Sequence, residues 1–207
     1  MKQKKIFLSK EGDSYFQRNK FSVNKNLDFI NNLIFNLLKK KSKILEIGCG
    51  KGDLLNLLSK NSQYKIFGID PSNQALKFNK NKKISLKKGT ADNLKFPDNL
   101  FDLVIFGFCL YLVDKNLLLK VAAEANRVLK NNGYLLICDF FRKKSLDVKY
   151  SHNKNIKTHK MDYSNLFSWH PHYKIVFKKF GDFQDINKQT KLKKNIISIF
   201  VLKKNEK

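Results

Sequence analysis

The chain has 207 residues, 42% of them apolar and 13% aromatic, which is enough to bury a core and too much for a disordered segment. No run approaches the roughly 20 apolar residues of a membrane span, and the opening MKQKKIFLSK lacks the apolar stretch of a signal peptide. The net charge is +25, and three scattered cysteines (Cys49, Cys109, Cys138) argue against a disulfide framework or a zinc site. A soluble cytoplasmic chain with reduced thiols and no metal is the expectation.

In chain order, residues 24–40 place Leu27, Ile30, Leu33, Ile34, Leu37 and Leu38 at three- and four-residue spacing, which predicts an amphipathic helix. Strand and helix patterns then alternate: strand 43–48, helix 52–60, strand 65–69, helix 72–79, a strand near 84–87, strand 101–107, helix 115–130 and strand 134–139. This alternation implies a mostly parallel sheet with helices on both faces. Gly133 is expected as the C-cap of the helix ending in Lys130. Segment 141–172 reads as irregular and carries all four histidines. Residues 173–180 and 195–203 read as two strands joined through Gly181, an antiparallel hairpin closing the sheet. One domain over residues 1–207 is expected, divided into N-terminal helices (1–42), a core (43–140), an insert (141–172) and the terminal hairpin (173–207).

Only three of the 42 basic residues are arginine (Arg18, Arg127, Arg142), and the lysines are spread from end to end. Phosphate recognition favours the bidentate fork of arginine. The charge is therefore read first as a solvated, lysine-rich surface of AT-rich codon usage. A nucleic-acid-binding surface is the main alternative, followed by an anionic small substrate or a membrane surface.

The stretch ILEIGCGKGDLLNLL, residues 44–58, sets Gly48, Gly50 and Gly52 between a buried strand and a helix. At the carboxyl end of a parallel strand, such glycines let the backbone approach a ligand closely. A P-loop is excluded because Lys51 is followed by Gly52, and the G-x-G-x-G spacing departs from the dinucleotide G-x-G-x-x-G. Asp70 ends the next strand about 20 residues on, a position suited to a ribose hydroxyl in either class. These residues indicate a nucleoside ligand without specifying which.

ILEIGCGKG, FGIDPS, GTADNLKFPDNLFDLVIFGFCLYLV and EANRVLKNNGYLLICDF together resemble the class I S-adenosylmethionine (SAM)-dependent methyltransferases, in order and spacing over residues 43–140. The resemblance implies a Rossmann-like α/β sheet of seven mostly parallel strands, with SAM as cofactor and S-adenosylhomocysteine as product. It places Glu46 and Gly48–Cys49–Gly50 around the methionine part of SAM, Asp70 on the ribose, Pro71 and Ser72 beside the adenine, and Thr90, Ala91 and Asp92 at the adenine edge. Phe106 and Gly107 would end the fourth strand beneath the cofactor.

A sulfonium methyl is an intrinsically good electrophile, so the enzyme mainly aligns a nucleophile and excludes water. For a hydroxyl acceptor, candidate general bases lie in the insert: His152, His159, Asp162, Tyr163, and above all His170 and His172 beside Trp169. Tyr111, just past the fourth strand, is another.

Residues 10–20 and 147–171 loosely resemble small methyltransferases of bacterial surface-sugar biosynthesis, including a pseudaminic-acid-associated group. That likeness places Tyr15 and Arg18 on a helix folding over SAM, with Arg18 near the cofactor carboxylate or an acidic sugar. It makes a nucleotide sugar or glycan the expected small-molecule acceptor, methylated on oxygen or nitrogen. The alternatives are a tRNA or rRNA methyltransferase and a non-catalytic SAM-binding partner subunit.

Overall fold

The computed structural model describes residues 2–61, 63–190 and 195–205. A seven-stranded sheet runs through it in the order β3-β2-β1-β4-β5-β9-β8. Its strands are β1 (Lys43–Ile47), β2 (Lys65–Asp70), β3 (Ile84–Lys88), β4 (Phe101–Gly107), β5 (Leu129–Phe140), β8 (Tyr173–Asp182) and β9 (Ile196–Lys204). β9 is antiparallel to both of its neighbours, and the pairs from β3 through β5 are parallel. Inserted between β5 and β8, β9 is covered on both faces and is buried along most of its length, Ser198 included.

Alternation along the central strands divides the core in two. Leu45, Ile47, Val104 and Phe106 face helix α6 (Leu118–Val128), while Ile44, Ile66, Leu103 and Ile105 face α3 (Leu27–Leu37) and α4 (Asp53–Leu58). Helix α3 buries Ile30 and Ile34, as its spacing predicts. Helix α5 (Asn73–Phe78) opens on Ser72, whose hydroxyl accepts the Ala75 N–H at 3.0 Å.

Three expectations are corrected. Helix α6 stops at Val128, and Gly133 lies inside β5, where a Cβ would come within 2.8 Å of Leu129 and 2.9 Å of the Lys130 carbonyl. The left-handed residue there is Asn132 (φ +62°), in an irregular stretch where the register against β4 shifts. Gly181 belongs to β8 rather than to its connection, packed so tightly on Ile186 that no side chain fits. Segment 141–172 is not irregular: β6 (Leu146–Lys149) pairs antiparallel with β7 (Lys157–Lys160), and a single turn, α7 (Asn165–Ser168), follows.

The N-terminus forms a strap of α1 (Lys2–Ile6) and α2 (Gly12–Asn19), joined through a wider helical turn at Phe7–Glu11. Gln3 anchors it, donating through its side-chain amide to the Leu112 carbonyl at 3.1 Å and accepting the Lys157 N–H at 2.7 Å. Further along, Asp13 accepts from the Ser72 hydroxyl and the Gln74 N–H. Among the described residues no helix is long and apolar enough to cross a membrane.

Candidate active site

Parallel strands deliver their carboxyl ends to one edge of the sheet, and the connection changes direction between β1 and β4. A cavity of about 470 Å³ opens there. The chain leaves β1 through Gly48 (φ +74°), Gly50 (φ +53°) and Gly52 (φ +78°), all left-handed, before α4 begins. At Gly48 a Cβ would stand 2.5 Å from that of Cys109, so the first turn has room only for glycine. The Gly48 and Cys49 N–H groups both donate to the Ile69 carbonyl, at 2.8 and 3.0 Å, which fixes the loop to β2.

Two carboxylates face this loop. Asp70 accepts the Gly50 N–H on one oxygen (2.9 Å) and the Ser72 N–H on the other (2.8 Å). Burial raises its pKa, and the two N–H groups oppose that rise. Glu46 is harder to explain without a ligand. Its Oε2 is buried and, among the described residues, has no hydrogen-bond partner. Burial first, then the charges of Asp53 and Asp70, push its pKa up to about 8. A buried, unsatisfied oxygen destabilises the fold unless something arrives to pair with it. Glu46 lines the cavity, beside a wall where Gly107 supplies no side chain at all.

Most of the residues expected around a nucleoside ligand do line the cavity: Tyr15, Glu46, Gly48, Cys49, Gly50, Asp70, Pro71, Ser72, Thr90, Ala91, Asp92 and Gly107. Asp92 carries an ion pair with Lys4 from the strap, at 2.6 Å. Two do not. Phe106 is completely buried in the core on the α6 side, because alternation along β4 turns it away from the cavity. Arg18 is bound to Glu11 and to the Tyr150 hydroxyl (2.8 Å), outside the cavity lining.

The expected bases are also placed elsewhere. His152, His159, Asp162, Tyr163, His170 and His172 are not among the described residues lining the cavity. His159 pairs with Asp147 at 3.0 Å. Tyr163 is a core residue whose hydroxyl donates to the His159 carbonyl. His170 and His172 stack edge-on, 4.7 Å between centroids, beside the exposed Trp169. His152 packs against Tyr150. Tyr111 is the exception: it lines the cavity, with its hydroxyl 3.3 Å from that of Tyr15. Burial raises the pKa of both phenols.

The far wall of the cavity was not anticipated from the sequence. Phe108, Phe140 and Phe183 form an aromatic triad with centroids 5.2 to 5.7 Å apart, and Tyr111 joins it through Phe140 at 5.1 Å. Phe108 holds φ +50°, a conformation unfavourable for a bulky residue, kept by its N–H donating to the Cys138 carbonyl at 2.8 Å. The signal available in the sequence was an aromatic residue at or just past the carboxyl ends of β4 and β5. Phe183 arrives from the β8–β9 connection, where Asn26 donates to its carbonyl.

Residues 45–137 match the family model of a methyltransferase domain. A demethylmenaquinone methyltransferase of Staphylococcus aureus is 38% identical over 108 residues, covering 49% of this chain and 44% of the relative; the chain thus spans under half the length of that relative. A SAM-dependent methyltransferase from Methanosarcina mazei superposes with a TM-score of 0.67 at 21% identity, over 84% of this chain and 98% of the other. The 1,6-didemethyltoxoflavin-N1-methyltransferase of Burkholderia thailandensis, solved with bound 1,6-didemethyltoxoflavin and S-adenosylhomocysteine, gives 0.77 at 10% identity over 100% of this chain and 91% of the other. The seven-stranded order with its antiparallel β9, the glycine turn after β1 and these comparisons agree: residues 45–137 match a methyltransferase domain, and the chain has the fold of the solved SAM-dependent methyltransferases on which it superposes.

Proposed function

We propose that this chain transfers the methyl group of SAM to a flat, weakly polar ring held against the aromatic wall. The observation that carries the reading is that one cavity joins the glycine turn, with Glu46 and Asp70, to the Phe108–Phe140–Phe183 triad. SAM supplies an electrophilic methyl on a sulfonium. Glu46 fits the cationic methionine end, because its buried Oε2 lacks a partner and an ammonium group would stabilise its ionised form. Asp70 retains acceptor capacity on both oxygens for ribose hydroxyls. Thr90, Ala91 and Asp92 line the same cavity and would serve the adenine edge, with Lys4 already on Asp92.

The apolar wall of the cavity is Phe108, Phe140 and Phe183 with Leu112, Val113 and Val121; Tyr15, Tyr111 and Asp114 are polar groups of the same lining, and Asn19, Ser22 and Asn24 add others. The lining cations are engaged, Lys4 by Asp92 and Lys51 by Asp53 and two backbone carbonyls. A nucleotide sugar requires many polar partners, and this wall offers few. An aromatic ring stacks on it directly. The phenols of Tyr15 and Tyr111, held protonated by burial, suit donating a hydrogen bond to an acceptor oxygen better than removing its proton. The favoured acceptor is therefore one already nucleophilic, such as a ring enolate or ring nitrogen. The chain's part is alignment and exclusion of water.

The test is incubation with isotopically labelled SAM and a panel of demethylated naphthoquinols, nitrogen heterocycles, nucleotide sugars and bulk tRNA, read by mass spectrometry. Label transfer to the ring compounds is expected. Transfer confined to sugars or to RNA would overturn the acceptor class.

A further inference from the structure

Residues 20–26, between α2 and α3, stand at the mouth of the cavity, which Ser22, Val23 and Asn24 help to line. Phe21 and Val23, 84% and 78% exposed, are the most exposed large apolar side chains among the described residues, and they share one short turn. The turn is held in this shape. Lys51 donates to the carbonyls of Lys20 (2.8 Å) and Ser22 (3.3 Å), and Asn26 binds the Phe183 carbonyl and the Ile186 N–H. Single exposed apolar residues are ordinary, but two on one braced tip are less so.

The apolar surface continues inward. Lys20 sits 5.3 Å from the Phe21 ring and 5.1 Å from the half-exposed Phe78, and Phe78 packs on Phe16 at 5.5 Å. Phe16 is itself part of the cavity wall. Basic residues predominate in the sequence around this path. Residues 14–27 carry Arg18, Lys20 and Lys25 with no carboxylate, and residues 71–91 carry Lys77, Lys80, Lys82, Lys83, Lys87 and Lys88 with none. Of the nearby carboxylates, Asp13 is bound to Ser72 and Gln74, Asp53 to Lys51 and Glu11 to Arg18, while Asp28, in the first turn of α3, is exposed.

We propose that this face docks on an anionic lipid membrane, with Phe21 and Val23 entering the interface and the surrounding lysines contacting lipid phosphates. A protruding apolar tip within a diffuse cationic field is the chemistry of an interfacial anchor. Flexible lysines serve a fluid anionic surface well, whereas sequence-tolerant nucleic-acid binding calls for a groove with stacking rings and favours arginine. Docking does not depend on the acceptor. Only its consequence does: if the proposed ring acceptor is dissolved in lipid, it enters the cavity past Phe21 and Phe16 without crossing water.

The test is co-sedimentation of the full chain, without SAM, on phosphatidylcholine vesicles and on vesicles of about one-third phosphatidylglycerol at roughly 0.1 M salt. The chain is expected on the anionic vesicles and not on the neutral ones. Phe21→Ser should lower that partition roughly 5- to 10-fold, while Leu119→Ser, an exposed apolar change on α6, leaves it unaltered. A Phe21→Trp, Trp169→Phe chain should show a blue-shifted indole emission quenched by brominated lipid. Calorimetry with SAM on the Phe21→Ser chain separates a docking failure from loss of the cofactor site. Absence of anionic-vesicle binding, equal partition of wild type and Phe21→Ser, an unquenched indole, or displacement from vesicles by RNA would each overturn the proposal.

Discussion

Asp70 accepts the N–H of Gly50 at 2.9 Å, which ties the end of β2 to the turn that leaves β1. One carboxylate thereby shapes the glycine turn and faces the space beside it. Both jobs need a short acidic side chain at the last position of a parallel strand, and the 20-residue separation in sequence becomes a direct contact in the sheet.

Asp70→Ala should raise the Kd for SAM about 10- to 100-fold, as expected for losing hydrogen bonds to a charged group. It also frees the N–H groups of Gly50 and Ser72, so Tm should fall. Asp70→Asn, which retains one acceptor, should recover part of the Tm and little of the affinity. Calorimetry and thermal melts measure the two quantities separately, and unchanged SAM affinity in both variants would contradict the assignment of Asp70.

Glu46 sets a pH dependence. Its folded pKa, about 8, lies above the ordinary value of 4.5, so the folded protein holds the proton more tightly than the unfolded chain. The stability associated with this group is complete below about pH 4.5, declines as pH rises to about 8 and is level above that. Glu46→Gln, which cannot ionise, should stabilise the ligand-free protein by a few kcal/mol at pH 8.5 and change little at pH 4.5. The same variant should bind SAM at least about tenfold more weakly. Near pH 7, wild type should release a proton on binding, read as a dependence of calorimetric heat on buffer ionisation enthalpy.

The sheet was legible because its signals are local. Phe101–Gly107 and Lys65–Asp70 are apolar runs bounded by polar or glycine residues, and their bounds agree with the sequence reading to within a residue. The glycine turn was legible for the same reason. Phe106 was misassigned because a run buried on both faces, FDLVIFG, hides which face each residue takes. Gly133 was misread because crowding against Leu129 and Lys130, not helix termination, requires it. The acceptor wall is the least local feature: Phe108, Phe140 and Phe183 lie on three separate segments, and only the antiparallel insertion of β9 brings Phe183 across to the other two. The histidines drew attention by clustering in one segment, yet β6, β7 and α7 give that segment structure of its own, and His159 is used within it.

Tyr111→Phe and Tyr15→Phe each remove one hydroxyl of the pair that meets at 3.3 Å. Neither should alter SAM affinity more than about twofold, whereas kcat/KM for the acceptor should fall roughly 10- to 100-fold. At saturating SAM, where Glu46 is already ionised, the rate above pH 7 should stay level rather than rise, because both phenols keep their protons through neutral pH. A rate climbing with phenol ionisation would instead make one of them a base.

Gly107 faces Glu46 so closely that a Cβ would lie 2.9 Å from its Oε1. Gly107→Ala should therefore push the carboxylate aside and weaken SAM binding at least about tenfold. Leu119→Ala, an exposed change on α6 outside the cavity lining, is the control expected to retain affinity. Equal affinity in the two variants would show that the position of Glu46 does not matter to the ligand.

The most direct measurement is calorimetric titration of protein stripped of bound ligand with SAM, S-adenosylhomocysteine and NAD in turn. The geometry of Glu46, Gly50 and Asp70 predicts micromolar binding of the first two and none of NAD. Binding of NAD alone, or heat from none of the three, would contradict the assignment of this cavity to SAM.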